Sequence, residues 1–193
     1  MAALTCVAKN VVITGASRGI GRSLAEEFLK HGHRVVLSSK SAYTTIKVYK
    51  ELRRIYGDAC MYYIADVGDH QQCVALAHAS KCMLGDIDLW VNNAGSTAYK
   101  RGNVTELSAK EIENIVHTNY LGAIFACIAA IRVMEKGTII NFEGSGSNSP
   151  SVPGYSVYSS SKTGLTSFSK SIREELKDTN INVCIVSPGL VYT

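Results

Sequence analysis

The sequence predicts a doubly wound α/β sheet, one domain of parallel strands with helices on both faces. Three observations carry that prediction. Short β-branched runs alternate with amphipathic segments such as GRSLAEEFLKHG and TSFSKSIREELKD, whose apolar positions recur at three and four. The runs are apolar throughout, which suits strands buried on both sides. Strand–helix alternation of this kind builds a parallel sheet with crossover helices. At 193 residues, 46% hydrophobic and 19% charged, the chain has the size and composition of one globular domain with its own core.

In chain order, strands are expected at NVVIT (10–14), RVVLS (34–38), MYYIA (61–65), DLWVN (88–92), TIINF (138–142) and NVCIVS (182–187). No internal repeat or linker interrupts them. The segment EGSGSNSPSVPG (143–154) is small and turn-prone, and a loop of that length in a compact domain is usually functional. YLGAIFACIAAI (120–131) reads as a buried or interface-facing helix, too short to span a bilayer. Only about ten residues precede the first apolar run, so no signal or transit peptide is expected.

The net charge of +4 is mild, and the group Lys47, Lys50, Arg53 and Arg54 reads as the solvated face of a helix. That footprint is too weak for nucleic-acid binding. Six cysteines (Cys6, Cys60, Cys73, Cys82, Cys127, Cys184) include no C-x-x-C pair, and most lie in apolar surroundings. They read as small buried hydrophobes in a reducing compartment. The five histidines show no metal-ligand spacing, so no metal is expected; His31 and His33 flank Gly32 at a helix end.

The first strand runs into TGASRGIG, Thr14 to Gly21, and then into a helix. Gly15, Gly19 and Gly21 allow a tight turn and let a pyrophosphate approach backbone N–H groups at the helix start, around Ile20. Ser17 and Arg18 add candidate phosphate contacts. An acidic residue about twenty positions on would hold the ribose 2′-hydroxyl of NAD. The second strand ends instead in LSSKS, where Ser39 and Lys40 suit a 2′-phosphate, so NADP(H) is the expected cofactor. Asp66 and Val67 end the third strand and Asn92 to Gly95 end the fourth, at the edge where open α/β sheets bind ligands. Asp66 is a candidate for the adenine amino group, although an Asp capping the next helix has the same sequence appearance. The small residues after Asn93, Ala94 and Gly95, let an adenosine lie close to the backbone.

Together TGxxxGxG at 14–21, NNAG at 92–95, Asn119, a serine in the glycine-rich loop, YxxxK at 158–162 and PG at 188–189 resemble the short-chain dehydrogenase/reductase family. They span the whole chain in the family's order. The resemblance implies a Rossmann-type fold and hydride transfer between a nicotinamide and a carbonyl or alcohol. It implies that Tyr158 is the general acid, with a pKa lowered by Lys162 one helical turn on and by the nicotinamide charge. By the same resemblance Lys162 also meets the nicotinamide ribose, and Asn119 anchors a water that resupplies protons. A loop serine hydrogen-bonds the substrate oxygen. The family's placement, thirteen residues before the tyrosine, lands on Ser145, with Ser147 the rival. Pro188, Gly189 and Thr193, matching PGxxxT, border the carboxamide.

Glu143 to Ser147, NNAGSTAY, IVHTNYLG and SPGLVYT are also similar to chlorophyll b reductases. That similarity implies reduction of the 7-formyl group of chlorophyll(ide) b, in a chloroplast; otherwise the compartment expected is cytoplasmic. The chain stops at Thr193, where family members continue with a helical lid and a seventh strand, so truncation is expected. The alternatives are a reductase of another carbonyl, such as a 3-oxoacyl thioester or small ketone, and a cofactor-binding protein without turnover. The family also implies a dimer or tetramer through the helix of Tyr158 and the apolar helix near 120–134.

Overall fold

Asn10–Thr14 forms the first strand, β1, and the chain then alternates as predicted. It passes through α1 (Gly19–Lys30), β2 (Arg34–Ser39), α2 (Ala42–Tyr56), β3 (Cys60–Ile64), α3 (His70–Leu84) and β4 (Leu89–Asn92). There follow α4 (Ala109–Val116), α5 (Gly122–Val133), β5 (Gly137–Phe142), α6 (Ser156–Glu175) and β6 (Ile181–Val186). This computed structural model describes residues 7–97, 103–144, 153–189 and 191. The six strands pair in parallel in the order β3-β2-β1-β4-β5-β6. The predicted strands match within a residue or so at each end.

Register divides the apolar residues between two faces. Val36, Val12, Trp90, Ile139 and Val183 stand side by side across five strands. They are buried in one cluster with Leu76 and Ala77 of α3, Ala126 and Ala130 of α5, and Ile172 of α6. The neighbouring row, Leu37, Ile13, Val91, Ile140 and Cys184, faces the other way. There α1 and α2 contribute Ala25, Leu29, Val48 and Leu52. Burial on this second face thins toward the β6 edge, where Ile140 is half-buried and Cys184 is exposed.

The burial of the cysteines corrects one expectation. Cys60, Cys73 and Cys127 are buried as predicted, but Cys82 and Cys184 are exposed, and Cys6 lies outside the described residues. Burial pushes the Cys60 thiol up to about 11 and the Cys73 and Cys127 thiols up to about 12, so all three stay protonated and inert.

The 120–131 segment is the buried helix predicted, within a longer helical stretch. A π-helical turn, His117–Leu121, joins α4 to α5, so the backbone is helical from Ala109 to Val133. By length and composition those 25 residues are apolar enough to cross a membrane. Within the fold, Ala126, Cys127, Ala129 and Ala130 are instead buried in the core that α3 shares.

Candidate active site

The strand order reverses between β1 and β4, and a crevice outside the carboxyl ends of such strands is where open α/β sheets take ligands. The glycine turn sits there. Gly15 has φ +66°, the left-handed region, and a Cβ on it would stand 2.7 Å from the Cα of Ala94. A Cβ on Gly21 would lie 2.4 Å from Nδ2 of Asn93 and 2.5 Å from the carbonyl oxygen of Gly15. No side chain caps α1, whose N-cap is Arg18, so its first-turn N–H groups point outward without a capping side-chain acceptor. A glycine cradle opening onto an uncapped helix start fits a pyrophosphate. Gly21→Ala is expected to cost roughly 1–3 kcal/mol in urea unfolding, because the backbone carbonyl of Gly15 has nowhere to move.

What holds the turn is the segment after β4. Asn93 donates through Nδ2 to the carbonyls of Thr14 (3.0 Å) and Gly15 (3.2 Å). The backbone N–H groups of Asn93 and Ala94 donate to Oγ1 of Thr14, both at 3.1 Å. Asn93 and Ala94 thus brace the glycine turn, a task the sequence reading assigned to neither. Across a cleft from Gly19 and Ile20 lies Pro188, which lines a cavity of about 630 Å³ with them.

The second-strand end departs in detail from expectation. The Ser39 hydroxyl is paired with Oγ1 of Thr45 at 2.5 Å and is nearly buried. Ser38 beside it is fully buried, and its Oγ has no hydrogen-bond partner among the described residues. Lys40 and Arg18 are exposed. Asp66 does not cap the next helix; Asp69 does, accepting from the N–H groups of Gln71 (2.8 Å) and Gln72 (3.2 Å). Those bonds, with the Gln72 side chain contributing most, hold the Asp69 carboxyl below its usual range. Asp66 instead closes a turn on itself, its Oδ1 accepting from the N–H of Gly68 at 2.9 Å. Val67 is buried against Gly122, where a Cβ would come within 2.8 Å of its Cγ2.

Tyr158 and Lys162 lie one turn apart on α6 and meet the carboxyl ends of β4 and β5. Gly144 leaves room for the Tyr158 hydroxyl: a Cβ on that glycine would stand 2.3 Å from Oη. Lys162, only 4% exposed, donates through Nζ to the carbonyl of Phe142 at 2.9 Å. Burial lowers its pKa to about 8. Burial also raises the Tyr158 pKa, with Tyr155 adding a smaller push; the two rings meet edge to face at 5.8 Å. The lowering that the family resemblance implied is therefore not produced by the protein groups alone. Desolvation, which disfavours the charged tyrosinate, is the larger cause.

Asn119 occupies the π-turn between α4 and α5 and is fully buried. Such turns recur at functional sites because they re-aim a side chain out of helical register. Its Oδ1 accepts from the N–H of Ser96 at 2.7 Å. Its Nδ2 donates to the carbonyl of Ser96 (2.8 Å) and to Oγ of Ser161 (3.3 Å). Ser161 lies between Tyr158 and Lys162 and donates to the carbonyl of Tyr158 at 2.6 Å. Asn119 thus ties the end of β4 to the turn of α6 that carries the acid. Gly95 is the spacer, its would-be Cβ 3.5 Å from Oδ1 of Asn119 and 4.0 Å from Nζ of Lys162.

A second polar connection was missed by sequence reasoning. Trp90 donates through Nε1 to Oδ1 of Asn92 (2.8 Å), and Asn92 donates to Oδ1 of Asn141 (2.9 Å). Asn141 then donates to Oγ of Ser169 on α6 (2.8 Å). All four side chains are buried, and the chain fixes α6 against β4 and β5. The signal available was an asparagine at the end of one apolar strand, Asn92, and one before the end of another, Asn141. Ser145, Ser147 and Thr193 lie outside the described residues.

The chain matches the family model for short chain dehydrogenases over residues 9–193. It is 34% identical over 192 residues to a chloroplastic chlorophyll(ide) b reductase of Oryza sativa subsp. japonica, covering 95% of this chain and 56% of that one. It is 37% identical to a probable chloroplastic chlorophyll(ide) b reductase of Arabidopsis thaliana, covering 96% of this chain and 41% of that one. The chain thus spans about half the length of these relatives. A 3-oxoacyl-[acyl-carrier-protein] reductase of Haemophilus influenzae is 34% identical, with 96% of this chain and 75% of that one covered. A Burkholderia phymatum short chain dehydrogenase/reductase in complex with NAD superposes with a TM-score of 0.86 at 27% identity, covering 95% of this chain and 66% of that one. A metagenomic short-chain oxidoreductase in complex with NADP gives 0.82 at 28%, covering 97% and 84%. With the glycine turn, Asn119, Tyr158 and Lys162 in place on a six-stranded parallel sheet, the chain belongs to the short-chain dehydrogenase/reductase family.

Proposed function

We propose that the protein is an NADPH-dependent carbonyl reductase acting on the 7-formyl group of chlorophyll(ide) b, in the chloroplast. The observation that carries the catalytic part is the convergence of Tyr158, Lys162 and Asn119 beside the glycine turn. The substrate rests on the similarity to chlorophyll(ide) b reductases.

Residues 1–193 form the cofactor domain in this reading. Gly15, Ser17, Arg18, Gly19, Ile20 and Gly21 hold the pyrophosphate through backbone N–H groups and the start of α1. Lys40, beside Ser39, binds the 2′-phosphate, and Asp66 and Val67 take the adenine. Asn93, Ala94 and Gly95 border the adenosine, while Pro188, Gly189 and Thr193 border the carboxamide. When bound, NADPH supplies a hydride. Tyr158 protonates the carbonyl oxygen at its Oη, and Ser145 or Ser147 donates a hydrogen bond to the same oxygen. Lys162 would oppose the desolvation that raises the Tyr158 pKa. Asn119 holds the relay in place.

Oxidation of NADPH with a formyl-bearing chlorophyll derivative tests the reading; no turnover above a protein-free control sinks it. A 3-oxoacyl thioester is the competing substrate, favoured by the broader coverage of the reductase of Haemophilus influenzae. Faster turnover of acetoacetyl-coenzyme A would select it. Lys40→Glu is expected to weaken NADPH binding at least tenfold and leave NADH binding nearly unchanged, by loss of one charge-assisted bond. Equal effects on both cofactors would remove Lys40 from the 2′-phosphate.

A further inference from the structure

The outer face of α2 has no part in the reaction above, and its chemistry is unusual for a merely solvated helix. Tyr43, Lys47, Lys50 and Arg54 follow one another at helical spacing, within an arc of about 60° and along about 16 Å. Lys47, Lys50 and Arg54 are exposed and form no ion pair among the described residues. The one carboxylate on the helix, Glu51, is already paired with Arg22 at 2.8 Å, and Arg53 pairs with Asp58. Like charges three and four residues apart weaken a helix. Among the described residues no carboxylate is paired with these three cations. The same helix also exposes large apolar side chains at both ends, Tyr43 at 80% and Ile55 at 63%. Its buried residues, Thr45, Val48 and Leu52, point the opposite way, into the sheet.

We propose that this face docks α2 flat on an anionic lipid surface. The three cations meet lipid headgroups and the Tyr43 ring sits at the interface. A bilayer suits the pattern better than a nucleic acid, for which the mild net charge of +4 is too weak a footprint. The N-terminus of α2 follows directly on the carboxyl end of β2. The proposal requires neither the cofactor nor the reaction proposed above and can fail separately from them.

Co-sedimentation of the 193-residue chain with phosphatidylcholine vesicles, with and without phosphatidylglycerol, tests it. Binding is expected only to the anionic vesicles, and raised salt should release it. Lys47→Gln, Lys50→Gln and Arg54→Gln together should lower the partition coefficient by roughly 10²-fold, at about one kcal/mol per cation. Tyr43→Ser should lower it several-fold. All four positions are exposed, so thermal melting of the variants should match the parent. The proposal is overturned by an absence of binding to anionic vesicles at low salt, or by unchanged binding of the triple variant. Tighter binding of a single-stranded oligonucleotide than of vesicles at the same salt would overturn it in favour of nucleic acid.

Discussion

Replacing Tyr158 with phenylalanine is expected to lower kcat for carbonyl reduction by about 10²- to 10⁴-fold, the range for loss of a positioned general acid. The ring keeps its edge-to-face contact with Tyr155, and only the hydroxyl against Gly144 is lost. Because that hydroxyl is desolvated, its removal should leave the fold at least as stable as before. Cofactor affinity, measured by fluorescence titration, should change little, so the defect belongs to turnover rather than binding. A kcat within a few-fold of the parent would show that another group protonates the substrate. The activity should also decline as pH rises through about 8, where Lys162 loses its proton and stops supporting the tyrosine.

Lys162→Met is expected to abolish turnover and yet raise stability near pH 7 by roughly 2 kcal/mol. The lysine is buried, and its pKa falls from 10.5 in the unfolded chain to about 8 in the fold. Holding the charge therefore costs roughly 3 kcal/mol below pH 8, at about 1.4 kcal/mol per unit. The lost hydrogen bond to the Phe142 carbonyl returns about 1 kcal/mol of that. The sign with pH follows. Below about 8 both folded and unfolded lysines are protonated, and the folded state carries the full penalty. Between about 8 and 10.5 the unfolded chain binds more protons, so parent stability rises with pH relative to the methionine variant. Above 10.5 the penalty is gone. Urea unfolding of both proteins across that range measures it. A methionine variant less stable than the parent at pH 7 would mean that the ammonium is better satisfied than its bond to Phe142 implies.

The elements most legible in the sequence were those with a local cause. Apolar runs at 10–14, 34–38 and 138–142 became β1, β2 and β5, because residues buried on both faces leave no polar alternation to misread. Motif residues were equally legible, since Tyr158 and Lys162 are fixed on one face of α6 by helical periodicity alone. Asp66 was harder to place: its position also suited a cap for α3, and only the backbone path shows that Asp69 caps it while Asp66 bonds Gly68. Cys184 looked buried because its neighbours are apolar, but it stands on the thinly covered face of β6, the last strand of the sheet.

What the sequence by itself determined, then, is the parallel sheet, the glycine turn and the pairing of an acid with its lysine. Each follows from spacing within one segment. Only the tertiary structure decided how those segments are locked together. Asn119 bonds Ser96 and Ser161, Asn93 braces the turn at Gly15, and Trp90, Asn92, Asn141 and Ser169 pin α6 to the strands. It also set the direction of the Tyr158 pKa. Burial is a sum over residues far apart in the chain, and no local pattern reports how much water that sum removes.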